Sequence, residues 1–149
     1  MRDAWERVLP ARASLYFRPR TKRNPGRMES TQPMRVHGIV NCDTVRRARA
    51  WLGERGVDYA WVDFRKQPPT VEQLRRWARS VGWDALVNRR GTTWRSLDDA
   101  HRAAVRDEAS AIALMHERPT LIRRPVVEMG ADIVVGFDEN DYARRFEAR

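Results

Sequence analysis

The sequence predicts a mixed α/β fold: a βαβ unit opens the body, a ββα unit closes it, and a helical segment is inserted between them. Three observations carry this. Val36 to Val40 reads as a short apolar strand interrupted by Gly38, and from Thr44 onward Val45, Ala48 and Leu52 fall at helical spacing. Thr70 to Gln73 has the Thr-x-x-Gln pattern that heads a capped helix. Val126-Val127-Glu128 and Ile133-Val134-Val135 flank Gly130-Ala131, the layout of a β-hairpin.

The elements follow in order. The segment before Met34 carries Pro10, Pro19, Pro25, Gly26 and Pro33 among scattered arginines, a composition that cannot build a core. Residues 1–33 are therefore expected to be disordered, or to be an extension ahead of a true start at Met34; the second is favoured because the first strand begins directly after that methionine. The segment has no apolar h-region, and Asp3 and Glu6 argue against a transit peptide. The first helix is expected to run to about Arg55 and to stop at Gly56. Val57 to Phe64 follows as a strand, parallel to the first. After the Lys66–Pro69 loop, the helix headed by Thr70 carries Leu74 and Trp77 and ends near Gly82. Asp84 to Val87 fits one helical turn, and Asn88 to Thr93 a polar loop. Ala103 to His116 is predicted as a single helix, closed by Pro119. Asp138 is placed to cap a last helix bearing Tyr142 and Phe146. The two ends resemble the halves of a thioredoxin-like fold, with an inserted helical segment at about 70–118 inside a single domain spanning 34–149.

Composition narrows the function. A chain of 149 residues is long enough for one cored domain, and no apolar run reaches membrane-spanning length. The net charge of +9 is unevenly spread: residues 1–33 hold eight Arg/Lys and three Asp/Glu, leaving twenty-one against seventeen in the body. The high pI thus belongs largely to the N-terminal segment and gives no basis for direct nucleic-acid binding. One cysteine excludes an intramolecular disulfide and a cysteine-cluster metal site, and His37, His101 and His116 have no metal-ligand spacing, so no metal is expected. A reducing, cytoplasmic setting is the default for such a chain.

Cys42 is that single cysteine. Lone cysteines are most often small buried apolar residues. This one is predicted to lie in the turn between the end of a strand and the start of a helix, where unpaired backbone N–H groups and the helix dipole stabilise a thiolate. Arg46 and Arg47 lie one turn further on; arginines in such a run, with Arg49, more often form a solvated helix face.

Three motifs then converge: Cys-x-x-x-Arg from Cys42 to Arg46, Asn-x-Arg-Gly-Thr-Thr-Trp from Asn88 to Trp94, and Leu-Ile-x-Arg-Pro from Leu121 to Pro125. Together they resemble the arsenate reductase (ArsC) family in its thioredoxin-like form, and within it the Spx/YffB-type branch, from Met34 to about Phe146. The resemblance implies that Cys42 is the nucleophile and that Arg46, Arg90 and Arg124 bind an anion, with Arg89 beside Arg90 leaving the register open. Such a set is chemically coherent, since a thiolate and an anionic substrate repel unless cations neutralise both. It also implies a cis Arg124–Pro125 bond, with Pro125 structural at the site. No bound cofactor is implied; glutathione is the expected co-substrate and glutathione or glutaredoxin the expected partner, because no second cysteine can resolve an oxidised Cys42. Spx proteins carry Cys-x-x-Cys, whereas Val45 occupies the second position here. The alternative implied is an Spx-like protein that binds RNA polymerase, docking on the C-terminal domain of its α subunit without catalysis.

Overall fold

Apolar residues at period two in the strands and at helical spacing between them sort onto the two faces of one sheet. The computed structural model describes residues 33–147. Its strands are β1 (Arg35–Gly38), β2 (Ala60–Asp63), β3 (Val126–Met129) and β4 (Asp132–Val135), paired in the order β2-β1-β3-β4. β1 and β2 run parallel, while β3 is antiparallel to both β1 and β4. This is the expected βαβ and ββα pairing of a thioredoxin-like fold. The expectation placed on residues 1–33 falls, but for Pro33, outside the described residues.

One face of the sheet packs against α1 (Asp43–Glu54) and α7 (Glu139–Tyr142), the latter running on into a π-helical turn, Ala143–Glu147. Val36, Ala48, Trp51, Leu52, Val127, Val134 and Tyr142 form that core. Against the other face lies the insertion: α2 (Val71–Val81), α3 (Trp83–Leu86), α4 (Thr92–Ser96), α5 (Asp99–Ala104) and α6 (Glu108–Glu117). Its core joins Leu74, Trp77, Leu86, Ile112 and Met115 to Val126 and Ile133 of the sheet. The successive residues Val126 and Val127 thus serve opposite cores, as strand pleating requires.

The capping box is present: Thr70 accepts from the Gln73 backbone N–H and Gln73 returns the bond to Thr70. Gly56, at φ 64°, ends α1 as expected. Two expectations are corrected. The helix predicted across Ala103–His116 is two helices, because Asp107 is the N-cap of α6, accepting from the Ser110 N–H, while Ser110 Oγ accepts from the Asp107 N–H. Asp107 favours this capped turn over helical continuity, and the chain breaks at Val105. The second strand is shorter than Val57–Phe64: Val57 closes the end of α1 by donating to the Leu52 carbonyl, and Val57 and Tyr59 pack on the α1 core without pairing in the sheet.

A neck laces shut the part of the insertion that carries α4 to α6. Asn88 N–H donates to Leu121 O at 2.9 Å, Arg123 N–H donates to Leu86 O at 2.7 Å, and Val87 and Ile122 form an antiparallel bridge between them. Both bridge residues are buried.

Gly38 sets the distance between β1 and α1. A Cβ added there would lie 2.8 Å from Val45 Cγ2 and 3.3 Å from Trp61. Gly38→Ala is expected to cost about 1–3 kcal/mol by overpacking. Urea unfolding measures it, and a variant as stable as wild type would show that α1 moves freely away from β1.

Candidate active site

β1 ends at Gly38, and a short turn through Val40 and Asn41 delivers Cys42 to the N-cap position of α1. Its backbone carbonyl accepts from Arg46 N–H at 2.9 Å, while its half-buried side chain is a free thiol that makes no capping bond. Cys42 opens onto a cavity of about 530 Å³ whose lining includes Thr44, Asn88, Arg90, Arg123, Arg124 and Gly136.

Arg124 is brought there by β3. The Arg124–Pro125 bond is cis, as the sequence led one to expect, and the Pro125 carbonyl accepts from Gly136 N–H at 2.8 Å. One arm of the Arg124 guanidinium donates to Thr120 O at 2.9 Å, whereas its buried Nε has no partner. Arg90 comes from the loop after the neck. Gly91 makes that loop tight: a Cβ there would sit 2.7 Å from the Asn88 amide nitrogen.

The register between Arg89 and Arg90 is decided by packing. Arg89 pairs with Asp84 at 2.7 Å and lies over the rings of Trp94 and Trp83, at 5.5 and 6.0 Å from their centroids. Arg89 therefore serves the scaffold and Arg90 lines the cavity. Arg46 is the exception among the expected residues. It pairs with Asp43 one turn away, its side chain is 67% exposed, and it is not part of the cavity lining. The i,i+3 spacing on α1 holds it on the helix surface. The structure thus brings together Cys42, Arg90 and Arg124, with Pro125 fixing the strand beside them.

Sequence reasoning missed Arg123, which reaches the same cavity. It also missed a buried polar cluster under the sheet. Glu128, 7% exposed, accepts from Trp77 Nε1 at 2.6 Å and from Arg76 at 2.5 Å, and His37 Nε2 lies 3.2 Å from its other oxygen. Burial alone would raise the Glu128 pKa; the bonds from His37, Trp77 and Arg76 outweigh it and hold the carboxyl at about 2. A carboxylate inside an otherwise apolar strand, Val126-Val127-Glu128-Met129, was the available signal. Among the described residues, no three of His, Cys, Asp and Glu are grouped to hold a metal ion, and no helix is long and apolar enough to cross a membrane.

The sheet order defines a thioredoxin-like protein, with a cysteine–arginine cavity at the end of β1. Residues 37–145 match the model of the ArsC family, and the chain belongs to that family. It is similar to an uncharacterized protein of Haemophilus influenzae, at 37% identity over 111 residues, covering 74% of this chain and 96% of that one. The global transcriptional regulator Spx of Staphylococcus haemolyticus is 27% identical over 112 residues, covering 73% and 82%. Among solved structures, the YFFB protein superposes with a TM-score of 0.71 at 44% identity, covering 74% of this chain and 96% of that one.

Proposed function

We propose that the chain is a thiol-dependent reductase, with Cys42 as nucleophile and glutathione as the external thiol. The observation that carries this reading is the shared cavity: a free cysteine thiol, with Arg90 and Arg124 beside it and neither guanidinium ion-paired to a carboxylate among the described residues. Unpaired cations facing a nucleophile are suited to an anionic partner. Attack by the Cys42 thiolate leaves its sulfur bonded to the substrate fragment. A thiolate from outside then attacks that sulfur, the sulfur–substrate bond breaks with its electron pair on the substrate, which departs reduced, and Cys42 is left in a mixed disulfide; a second thiol releases Cys42 as the oxidised thiol dimer departs. Two thiols supply the two electrons that the substrate accepts. Glutaredoxin is an equivalent second donor, and the reducing thiol pool of the cytoplasm is the setting this chemistry requires.

Turnover is expected to need added glutathione and to stop without it. A steady-state assay with and without the thiol measures this, and sustained turnover in its absence would contradict the scheme. The Spx relative favours a second reading, in which the chain docks on the α subunit of RNA polymerase. If α co-purifies with the chain and no thiol turnover is found, that reading replaces the first.

A further inference from the structure

Three arginines line the Cys42 cavity, and the reaction outlined above uses two. Arg123 is the third. Its backbone is fixed at the neck of the insertion by its bond to Leu86 O. Its side-chain stem lies over Gly136, where a Cβ would come within 3.7 Å of Arg123 Cδ. Gly136 itself is held at φ 82°, and its carbonyl accepts from the buried Tyr142 hydroxyl at 3.1 Å. The strand end under Arg123 is therefore built, while its charged head is exposed and makes no ion pair among the described residues. Neither carboxylate in the cavity lining is ion-paired to it. Asp141 is taken by Arg145 at 2.9 Å and Arg144 at 3.6 Å, and Asp138 caps α7 by accepting from Asp141 N–H.

One guanidinium can satisfy one carboxylate through two parallel bonds. None of the three arginines is ion-paired to a carboxylate among the described residues, and a ligand carrying one small anion cannot pair with all of them in this way. The cavity volume of about 530 Å³ also exceeds what a lone tetrahedral oxyanion fills. It falls in the range of roughly 300–1,000 Å³ that suits an organic ligand.

We propose that Arg123 is a substrate-selecting residue that binds a second carboxylate on the thiol compound exchanging with Cys42, so that the site prefers disulfides whose halves each carry two carboxylates. This rests on the reading of Cys42 as a thiol-exchange nucleophile. In the exchange, the Cys42 thiolate attacks one sulfur of the small disulfide. One S–S bond breaks, a new one forms to Cys42, and the electron pair leaves on the departing thiolate.

The test follows mixed-disulfide formation at Cys42 of the full chain by intact mass. Two probes are used: glutathione disulfide, with two carboxylates on each half, and hydroxyethyl disulfide, which is uncharged. Wild type is expected to react faster with glutathione disulfide. Arg123→Ala should slow that reaction about tenfold, the loss typical of one charged hydrogen-bonding group, and leave the hydroxyethyl disulfide rate unchanged. Arg123→Lys should fall between, retaining charge without the planar fork. Because the Arg123 side chain is exposed and its backbone bond survives substitution, melting temperatures should match. Equal slowing with both probes, or no slowing with glutathione disulfide, would overturn the role of Arg123 alone. Failure of wild type to react with either probe would overturn the reading of Cys42 and this inference with it.

Discussion

Cys42→Ser is expected to reduce thiol turnover to background while leaving the fold as stable as wild type or slightly more so. Loss of activity follows from the chemistry. Exchange requires a sulfur that can be attacked in its turn, and no other cysteine exists in the chain. A hydroxyl in the same place is neither nucleophilic at neutral pH nor able to form the disulfide. The effect on stability follows from position. Cys42 occupies the N-cap of α1 and contributes no capping bond, whereas serine is a preferred N-cap residue, worth about 0.5–2 kcal/mol over residues that cannot cap. Turnover and urea unfolding measured on one preparation separate the two effects. Activity that survives in Cys42→Ser would remove the nucleophile from the mechanism. A large drop in stability would show that the thiol is a packing residue.

The second large effect is structural. Glu128→Ala is expected to destabilise the chain by about 1–3 kcal/mol, the cost of leaving a buried donor unsatisfied. The substitution leaves the buried Trp77 Nε1 without its acceptor and takes the carboxylate away from Arg76, whose side chain is half exposed. A domain of this size has only about 5–15 kcal/mol to lose, so the variant should unfold at markedly lower urea. The same carboxylate sets an acid limit. Its folded pKa, about 2, lies below the ordinary value of 4.5, so the unfolded chain binds the proton more tightly. The contribution of Glu128 is therefore complete above about pH 4.5 and is lost as the pH falls toward 2. Unfolding free energy measured across that window should decline in wild type and flatten in Glu128→Ala. An identical acid limb in both would assign the loss to other carboxylates.

The contrast between these two residues shows where the sequence is readable. Cys42 was legible because everything that places it is local: a strand ending at Gly38, a turn, then apolar residues at helical spacing. The capping box at Thr70 and the hairpin at Gly130 were legible for the same reason, and the cis Arg124–Pro125 bond through the motif that carries it. Glu128 was not, because its bonded partners Arg76 and Trp77 stand 52 and 51 positions away. No window of neighbouring residues announces that a strand carboxylate will be buried. Arg89 and Arg90 are indistinguishable as a pair, and only the rings of Trp83 and Trp94 and the carboxylate of Asp84 separate scaffold from cavity. The split between α5 and α6 was written in the chain, since Asp107 and Ser110 form a cap. The apolar spacing of Val105, Ile112 and Met115 pointed to continuity and obscured it.

The laced neck of the insertion has an architectural consequence. Arg90 follows Val87 on the helical side of the bridge and Arg124 follows Ile122 on the sheet side, so the seam lies between them and ties the two together. The segment between them behaves as a closed annex. The outer surfaces of α4 and α5 could change while the seam held, whereas α6 is anchored by Ile112 and Met115 in the core. The chemistry belongs to the threshold, and the outer surface of the annex beyond it is free to diversify toward whatever it must meet.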